Sequence, residues 1–300
     1  PPRNLNIFYE SRTFLDFFGK NSIIRFSIDF GARDLCPWDS RATLDGQKGL
    51  HLTTEQPLYH DMSVKPSGMV DHLSDAQWAK LAPLLTQHKH FTPGTVVSQR
   101  GDLLDHSLLL LDGLIARSVP HGQRGRSTFV ALQFPGEFVD LHAFPLKRLD
   151  HDVISLTDTR VAMISHQPLR GLLNGDVELA RKLWLMTLVD ASIHRHWVMR
   201  NSAMRALARV ANFLSEFDAR MTGAYGMERQ CLPFSLRQTD IADATGLTSV
   251  HVSRTLRELR EHGCCTVSGG KLLIHDRAGL HKVGTFEPAY LYMPQSEAAL

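Results

Sequence analysis

Hydrophobic and polar positions follow three patterns along the chain, and each pattern predicts its own type of element. Between Phe91 and about Met163, short runs of aliphatic and β-branched residues are separated by turn pairs such as Asp112-Gly113. This pattern predicts an antiparallel β-roll, jelly-roll-like in architecture. Upstream, Met69 opens a segment with apolar residues near helical spacing after Ser74, a candidate N-cap, so we expect the roll domain to begin there.

A second pattern begins after Asn174, where apolar residues recur at steps of three and four over roughly 23 residues, longer than most globular helices. Its stripe comprises Leu179, Leu183, Met186, Ile193 and Trp197. A stripe this narrow is typical of a coiled-coil seam, and it predicts a dimerisation helix over 175–200 that joins two copies in a homodimer. The alternative is that the stripe packs on the roll of its own chain, and both arrangements can hold together.

The third pattern, in residues 236–263, predicts two helices joined by a short turn centred on Gly246. Apolar residues spaced along both helices supply the contacts that lock them at a steep angle, and Thr248 or Ser249 caps the second helix. We expect that helix to run over Ser249–Glu261. Downstream, Ser268-Gly269-Gly270 between two short β-type runs predicts a hairpin that forms a wing.

The pivot glycine, the exposed basic residues and the wing favour a winged helix-turn-helix that binds double-stranded DNA over a helical hairpin used for protein contacts. Arg254 is the best base reader, because its planar guanidinium can bond guanine O6 and N7 together. The first turns of the second helix face the bases, so we expect base reading by Ser249, Val250, Ser253 and Arg254. Contacts to the DNA backbone are expected from Arg237, Thr248, His251, Arg257 and Lys271.

The order of roll, long helix and winged helix-turn-helix resembles the CRP/FNR family of bacterial transcription regulators, over roughly residues 73–291. The residues that carry the resemblance are Phe134-Pro135-Gly136-Glu137-Phe138, Gln238-Thr239-Asp240-Ile241-Ala242 and Val252-Ser253-Arg254-Thr255-Leu256. The resemblance implies a homodimer whose recognition helices enter successive major grooves of a near-palindromic site, where the protein contacts RNA polymerase to raise or block initiation. Members often carry glutamate where Val250 stands here, so their half-site sequences do not transfer.

These patterns divide the chain into four segments. Residues 1–68 are an N-terminal extension of unknown role, 69–174 a sensor-like β-roll, 175–200 the dimerisation helix and 201–300 the winged helix-turn-helix domain. The predicted fold class is therefore α+β, with an N-terminal antiparallel β-roll, a long dimerisation helix and a C-terminal winged helix-turn-helix.

Family members that bind cyclic nucleotides hold the ribose with a Gly-Glu pair and the phosphate with an Arg-Ser pair inside the roll. Here Gly136 and Glu137 are followed by Asp140, and acidic residues stand within 149–154, where the cation is expected. A cyclic phosphate would meet carboxylates without an obvious partner. We therefore predict a degenerate pocket, formed by Gly136, Glu137, Asp140 and His151, that takes no cofactor and no metal.

The leading alternative is a ligand-gated regulator whose roll responds to an unknown small molecule, haem or a redox signal. Cys36 alone cannot supply an iron-sulfur cluster, and we interpret the adjacent Cys264 and Cys265 as small core residues under the wing rather than redox sensors. A remote alternative is a cupin-like metal-dependent oxygenase that would use Asp140-x-His142 with His151 or His166. The paired His-x-His of such sites is missing, so we expect no enzyme.

Composition changes this picture little. Hydrophobic residues at 43% and charged residues at 21% are ordinary for a globular protein and exclude wholesale disorder. The formal net charge of +2 is nearly neutral, so DNA binding must depend on local charge. The four cysteines form no CxxC pair and no run of about 18 apolar residues occurs, so we expect a cytoplasmic protein without disulfides or a membrane segment.

Overall fold

The computed structural model describes four strands within residues 14–53, then residue 62 and residues 65–121, 126–225 and 228–294. The chain divides into the units Pro1–Thr54 and Glu55–Leu300. In the first unit, two antiparallel hairpins pair β1 (Phe14–Gly19) with β2 (Ser22–Ser27) and β3 (Arg41–Asp45) with β4 (Gly49–Thr53). The role predicted for residues 1–68 concerns a segment that falls mostly outside the described residues.

The β-roll predicted from alternating short runs is confirmed. Its strands form two antiparallel sheets, in the orders β6-β10-β8-β9 and β5-β11-β7. The strands are β5 (Leu85–Phe91), β6 (Val96–Ser98), β7 (His106–Asp112), β8 (Ile115–His121), β9 (Arg126–Gln133), β10 (Asp152–Ser155) and β11 (Thr159–Ser165). The prediction missed β5, an edge strand whose sequence is largely polar and exposed, so it lacks the period-two pattern.

Three helices belong to the roll and its exit. They are α1 (Asp75–Leu81), α2 (Ala143–Leu146) and α3 (His166–Gly175). Ser74 caps α1 as predicted, because its side chain accepts a hydrogen bond from the Gln77 amide. The chain just before the predicted domain start at Met69 already packs on the roll, since a Cβ on Gly136 (φ 82°) would overlap the Ser67 carbonyl oxygen.

The long helix predicted over 175–200 is α4 (Val177–Ala203), and its apolar stripe faces its own chain. The five predicted dimer contacts are between 0% and 7% exposed in the single chain, and they pack in its hydrophobic cores: Leu179, Leu183, Met186, Ile193 and Trp197. Such buried side chains are not available to a second copy. The prediction of this stripe as the dimer seam is therefore wrong, and packing on the chain's own domains is the arrangement observed.

The C-terminal region is a winged helix-turn-helix, as predicted. Its helices are α5 (Ala206–Tyr225), α6 (Gln238–Thr245), α7 (Ser249–Glu261) and α8 (Arg277–Val283). The hairpin of β13 (Cys265–Ser268) and β14 (Lys271–Ile274) forms the wing, and β12 (Cys231–Pro233) adds a third strand beside β14. A 3₁₀ turn, Pro288–Leu291, then packs near α4.

The cysteines divide into two groups. Cys264 and Cys265 are free and buried under the wing, at 3% and 1% exposed, which agrees with their interpretation as small core residues. Cys231, on β12, is also buried, at 8% exposed. None of the helices formed by the described residues is long and apolar enough to span a membrane.

Candidate nucleic-acid interface

Local sequence signals position α7 on the surface of the C-terminal domain. Gly246 ends α6 in the left-handed conformation, with φ of 64°, so the chain turns sharply between the two helices. The Thr248 hydroxyl then caps α7 by accepting a hydrogen bond from the His251 amide at 3.2 Å. Val252 and Leu259 are fully buried on the inner face of α7, which leaves its opposite face toward solvent.

The outer face of α7 and the wing enclose a groove that carries the predicted base readers. Val250 is 59% exposed, and Arg254 is exposed beside it. The residues that line the groove are Gln238, Ser249, Val250, Ser253, Arg254, Leu256, Arg257, Arg260, Thr266, Val267 and Ser268. The structure therefore brings together all four residues predicted to read bases. Arg257, one of the predicted contacts to the DNA backbone, lies in the same groove.

The other four residues predicted to contact the DNA backbone lie around this groove and differ in exposure and in hydrogen-bond partners. Arg237 donates two hydrogen bonds to the Asp240 carboxylate, at 3.1 and 2.9 Å, and this partner raises the pKa of Arg237. Its charge is thereby partly balanced, although the side chain is 78% exposed. Thr248 is occupied by the helix cap, His251 is exposed on the first turn of α7, and Lys271 is half-buried where the wing returns.

Four polar groove residues were missed by the sequence analysis. Gln238 begins α6, Arg260 lies on the last turn of α7, and Thr266 and Ser268 lie on the wing strand β13. Helical periodicity was sufficient to find Arg260, because it follows Arg257 by three residues and so lies on the same face of α7. The wing residues could not be assigned without knowing how β13 faces α7.

The roll contains a narrow cleft against α4, with a cavity volume of about 30 Å³, whose charged groups bond to each other. Arg117, only 2% exposed, donates to Asp190 at 2.6 Å and to the Val139 carbonyl oxygen at 2.9 and 2.6 Å. Glu137 accepts two hydrogen bonds from Arg220, at 3.2 and 2.6 Å. The charged side chains that line the cleft thus bond to partners within the chain.

Only one of the four residues predicted to form the degenerate pocket lines this cleft, namely Glu137. Asp140 is fully buried, accepts a hydrogen bond from the Leu108 amide at 2.7 Å, and has its pKa raised by burial to about 6. His151 is buried with Nδ1 at 2.8 Å from Asp150 Oδ1, and burial lowers its pKa. Gly136 allows the chain at Ser67 to pass close to it, because a Cβ there would overlap the Ser67 carbonyl oxygen. The prediction of one four-residue pocket is therefore corrected.

The side chains considered for a metal do not assemble into a ligand set. Among the described residues, no group of three or more His, Cys, Asp or Glu side chains is placed to hold a metal ion. His142 lies 5.4 Å from His151 between ring centroids, and burial, together with Arg117, lowers the pKa of His142 to about 3. His166 instead pairs with the Ser107 hydroxyl at 3.0 Å.

Comparison with protein families matches two parts of the chain. Residues 208–283 match the Crp-like helix-turn-helix domain, which includes α6, α7 and the wing. Residues 88–176 match the cyclic nucleotide-binding domain, which includes most of the roll.

Individual proteins also resemble the chain. The nitrogen fixation regulation protein FixK of Bradyrhizobium diazoefficiens is 24% identical over 220 residues, which cover 73% of this chain and 90% of that protein. FixK of Azorhizobium caulinodans is 26% identical over 160 residues, or 53% of this chain and 64% of that protein. The solved structure of FixK2 from Bradyrhizobium japonicum gives a TM-score of 0.60 at 24% identity, covering 66% of this chain and 96% of its own. At this identity the structural likeness shows a common fold.

Proposed function

The chain belongs to the CRP/FNR family of transcription regulators, and we propose that it binds a near-palindromic DNA site as a homodimer, reading bases through α7. The family consists of regulators and not enzymes, which removes the oxygenase alternative. The observation that carries the proposal is the groove between α7 and the wing, where Val250 and Arg254 face outward beside two further arginines.

Each groove side chain suits a different part of a DNA duplex. Arg254 presents a planar fork to guanine O6 and N7, and Val250 presents methyl groups to a thymine methyl. Ser249 and Ser253 provide short hydroxyls for base edges on the same face. The phosphate contacts are proposed for Arg257, Arg260, Lys271, His251, Thr248 and Arg237, with the last partly neutralised by Asp240.

The homodimer is supported by a second apolar stripe on α4. Trp184, Leu188 and Val198 are 64%, 49% and 70% exposed, although large apolar side chains usually avoid such exposure. Their spacing of four and ten residues fits alternating positions of a heptad repeat, with Val177 one heptad before Trp184. We propose that this stripe, and not the buried one, pairs with α4 of a second copy.

Bound to its site, the dimer contacts RNA polymerase and raises or blocks initiation. A protein that acts on the bacterial chromosome in this way works in the cytoplasm, where we place it. The proposed regulator needs no cofactor, because the charged groups of the roll cleft already have internal partners.

A ligand-gated regulator is the second candidate, and the match of residues 88–176 to the cyclic nucleotide-binding domain is the observation in its favour. Its DNA affinity would rise only after a small molecule enters the cleft. Titration of candidate ligands into the DNA-binding assay separates the two functions, since the first predicts tight binding by ligand-free protein.

The test of the proposed function is selection of duplexes from a random pool by ligand-free protein at fixed salt. We expect a palindromic site to be enriched, and Arg254→Ala to bind it more weakly by roughly 1–3 kcal/mol per half-site, with relaxed preference at one base pair in each. Arg170→Ala, which removes an exposed arginine from α3, is the matched control and should bind like wild type. Equal binding of every sequence by wild type and Arg254→Ala would refute the assignment.

A further inference from the structure

Four charged side chains form a continuous buried series of ion pairs. Glu137 pairs with Arg220 at 2.6 Å, Arg220 pairs with Glu216 at 3.1 Å, and Glu216 pairs with Arg200 at 3.0 Å. Arg200 is fully buried, and Glu216 and Arg220 are 2% and 4% exposed. Two positive and two negative charges balance each other inside the molecule, and a lost partner would leave an unpaired buried charge.

Glu216 is the centre of this ion-pair series. Its carboxylate also accepts hydrogen bonds from the Trp197 indole at 2.8 and 3.1 Å and from the Tyr290 hydroxyl at 2.8 Å. Burial opposes the charge of Glu216, but Arg200 and Arg220 outweigh it and hold the pKa of Glu216 below its usual range. The Arg200 guanidinium lies 4.4 Å from the centre of the Trp197 ring, which further fixes its place.

The series joins parts of the chain that are far apart in sequence. Glu137 follows β9 of the roll, and Arg220 also donates to the Leu132 carbonyl oxygen of β9 at 2.7 Å. Arg220 and Glu216 lie on α5, the first helix of the DNA-binding domain, whereas Arg200 lies near the end of α4. One guanidinium therefore bonds to the roll and to the domain that carries α7. Because its fork has fixed geometry, it restricts orientation as well as distance.

The same contacts occupy the roll carboxylate that a ligand would need. Glu137 accepts both bonds from Arg220 and a third from the Phe134 amide at 3.2 Å. Burial opposes the charge of Arg220, but Glu137 and Glu216 outweigh it and raise its pKa, so the guanidinium stays charged. The side chain from α5 thus takes the interactions that an incoming hydroxyl or cation would make with Glu137.

We propose that Arg220 is the positioning residue that fixes the DNA-binding domain on the roll, so that α7 is presented correctly without a small-molecule ligand. This inference rests on the proposed function, because it concerns how two copies of α7 are spaced on one DNA site. In a dimer joined through α4, the separation of the two α7 helices depends on how rigidly each DNA-binding domain is held. Loss of Arg220 makes the separation of the two α7 helices variable, whereas the contacts between one α7 and one half-site remain.

The DNA test compares binding to the selected palindrome with binding to versions whose central spacer is one or two base pairs longer or shorter. Wild type should reject the altered spacers. We expect Arg220→Gln to lose about tenfold affinity for the palindrome with the selected spacer and little affinity for those with altered spacers. A tenfold loss lies within the usual range for energetic coupling between two domains. Arg220→Lys keeps the charge but lacks the fork, and it should behave like Arg220→Gln. Glu137→Gln, a milder change, should match Arg220→Gln, and the double variant should lose no more than either one.

The control is Arg277→Gln, which breaks an ion pair of similar geometry inside the DNA-binding domain. Arg277 donates to both oxygens of Asp218, at 2.6 and 3.1 Å, and Asp218 lies on α5 as Arg220 does. This variant should lose stability and keep the spacer preference. If Arg220→Gln and Glu137→Gln also keep the full spacer preference, Arg220 has only a structural role and the proposal is wrong.

A measurement without DNA separates this inference from the proposed function. Probe pairs at Thr86 on the roll and Glu258 on α7, both exposed, report the distance between the domains. With only one labelled copy in each dimer, a single narrow distance in wild type and Arg277→Gln, with a broad one in Arg220→Gln, supports the proposal even if no palindrome is selected. Equally narrow distances in wild type, Arg277→Gln and Arg220→Gln overturn the proposal. Tenfold tighter DNA binding by wild type after addition of adenosine 3′,5′-cyclic monophosphate also overturns it.

Discussion

At the scale of single residues, burial and partners decide what each arginine does. Arg254 is exposed in the α7 groove, where its guanidinium faces solvent and an incoming duplex. Arg220 has the same side chain but is buried among two carboxylates and a carbonyl oxygen, so its donors are used within the chain. Arg237 lies between these cases, exposed yet held by Asp240. Net charge alone did not distinguish these three states.

Asp140 provides a pH-dependent prediction at this scale. Burial raises the pKa of its carboxyl to about 6, and one oxygen has no hydrogen-bond partner among the described residues. The folded state therefore binds the proton more tightly than the unfolded state, where the pKa is about 3.9. The stabilising contribution is complete below that unfolded value and is lost as the pH rises through about 6.

Asp140→Asn should therefore stabilise the protein above pH 7, by on the order of 2 kcal/mol in the free energy of unfolding, and remove the loss of stability that Asp140 causes between pH 4 and 7. Urea unfolding at pH 5 and pH 7.5 measures both effects. Asp75→Asn is the control, because that carboxylate is 98% exposed and should change the profile little. A profile for Asp140→Asn that runs parallel to wild type would show that Asp140 does not titrate in this range.

Among the secondary-structure elements, α4 carries two apolar stripes that both need to be covered. One apolar stripe covers the roll and α5, through residues such as Leu183 and Trp197, and the other stripe, which includes Leu188, is left in solvent. A helix that is apolar on opposite sides is expected to be covered on both. The single chain covers one side only, and this is why we assign the exposed stripe to a second copy.

Leu188→Glu should disrupt that dimer while leaving the fold of each copy intact. Leu188 is 49% exposed in the single chain, so a glutamate there is solvated in the monomer but meets an apolar partner in the dimer. We expect dimerisation to weaken by about a hundredfold or more, because two unpaired charges become buried. Sedimentation equilibrium measures the change. Leu103→Glu, at a roll position that is 68% exposed, should remain dimeric, and a dimer of unchanged affinity for Leu188→Glu would place the interface elsewhere.

At the scale of the whole molecule, two-fold symmetry doubles the effect of each surface substitution. Arg260 lines the groove on the last turn of α7, and a symmetric dimer brings two copies of it to one DNA site. Each lost phosphate contact reduces the slope of log affinity against log salt by about 0.9. Arg260→Ala should therefore reduce the slope by about 2 on a full palindrome.

Filter binding or fluorescence anisotropy over a series of salt concentrations measures this slope. On a half-site duplex bound by one α7, the same substitution should reduce the slope by about 1, so the ratio of the two changes reports the symmetry. Arg170→Ala, on α3 of the roll, should leave both slopes unchanged. An unchanged slope for Arg260→Ala would mean that this arginine does not contact phosphate.

Short-range signals in the sequence were sufficient to predict the recognition element in detail. The expected bounds Ser249–Glu261 are those of α7, the turn lies at Gly246, and the wing strands were expected on either side of Ser268-Gly269-Gly270. These features depend on a cap, a left-handed glycine and helical periodicity, all of which act over a few residues. Short-range signals of this kind are read directly from neighbouring positions, as were most strands of the roll.

Three features follow from long-range packing instead: which face of α4 is buried, that β5 and β12 join the sheets, and that Glu137 meets Arg220. Glu137 and Arg220 are 83 positions apart, and nothing in the residues around either one indicates the other. Likewise, both stripes of α4 have helical spacing, so periodicity alone could not say which one packs on the roll. Side chains distant in sequence meet only after the domains pack, and that packing depends on the fit of whole surfaces.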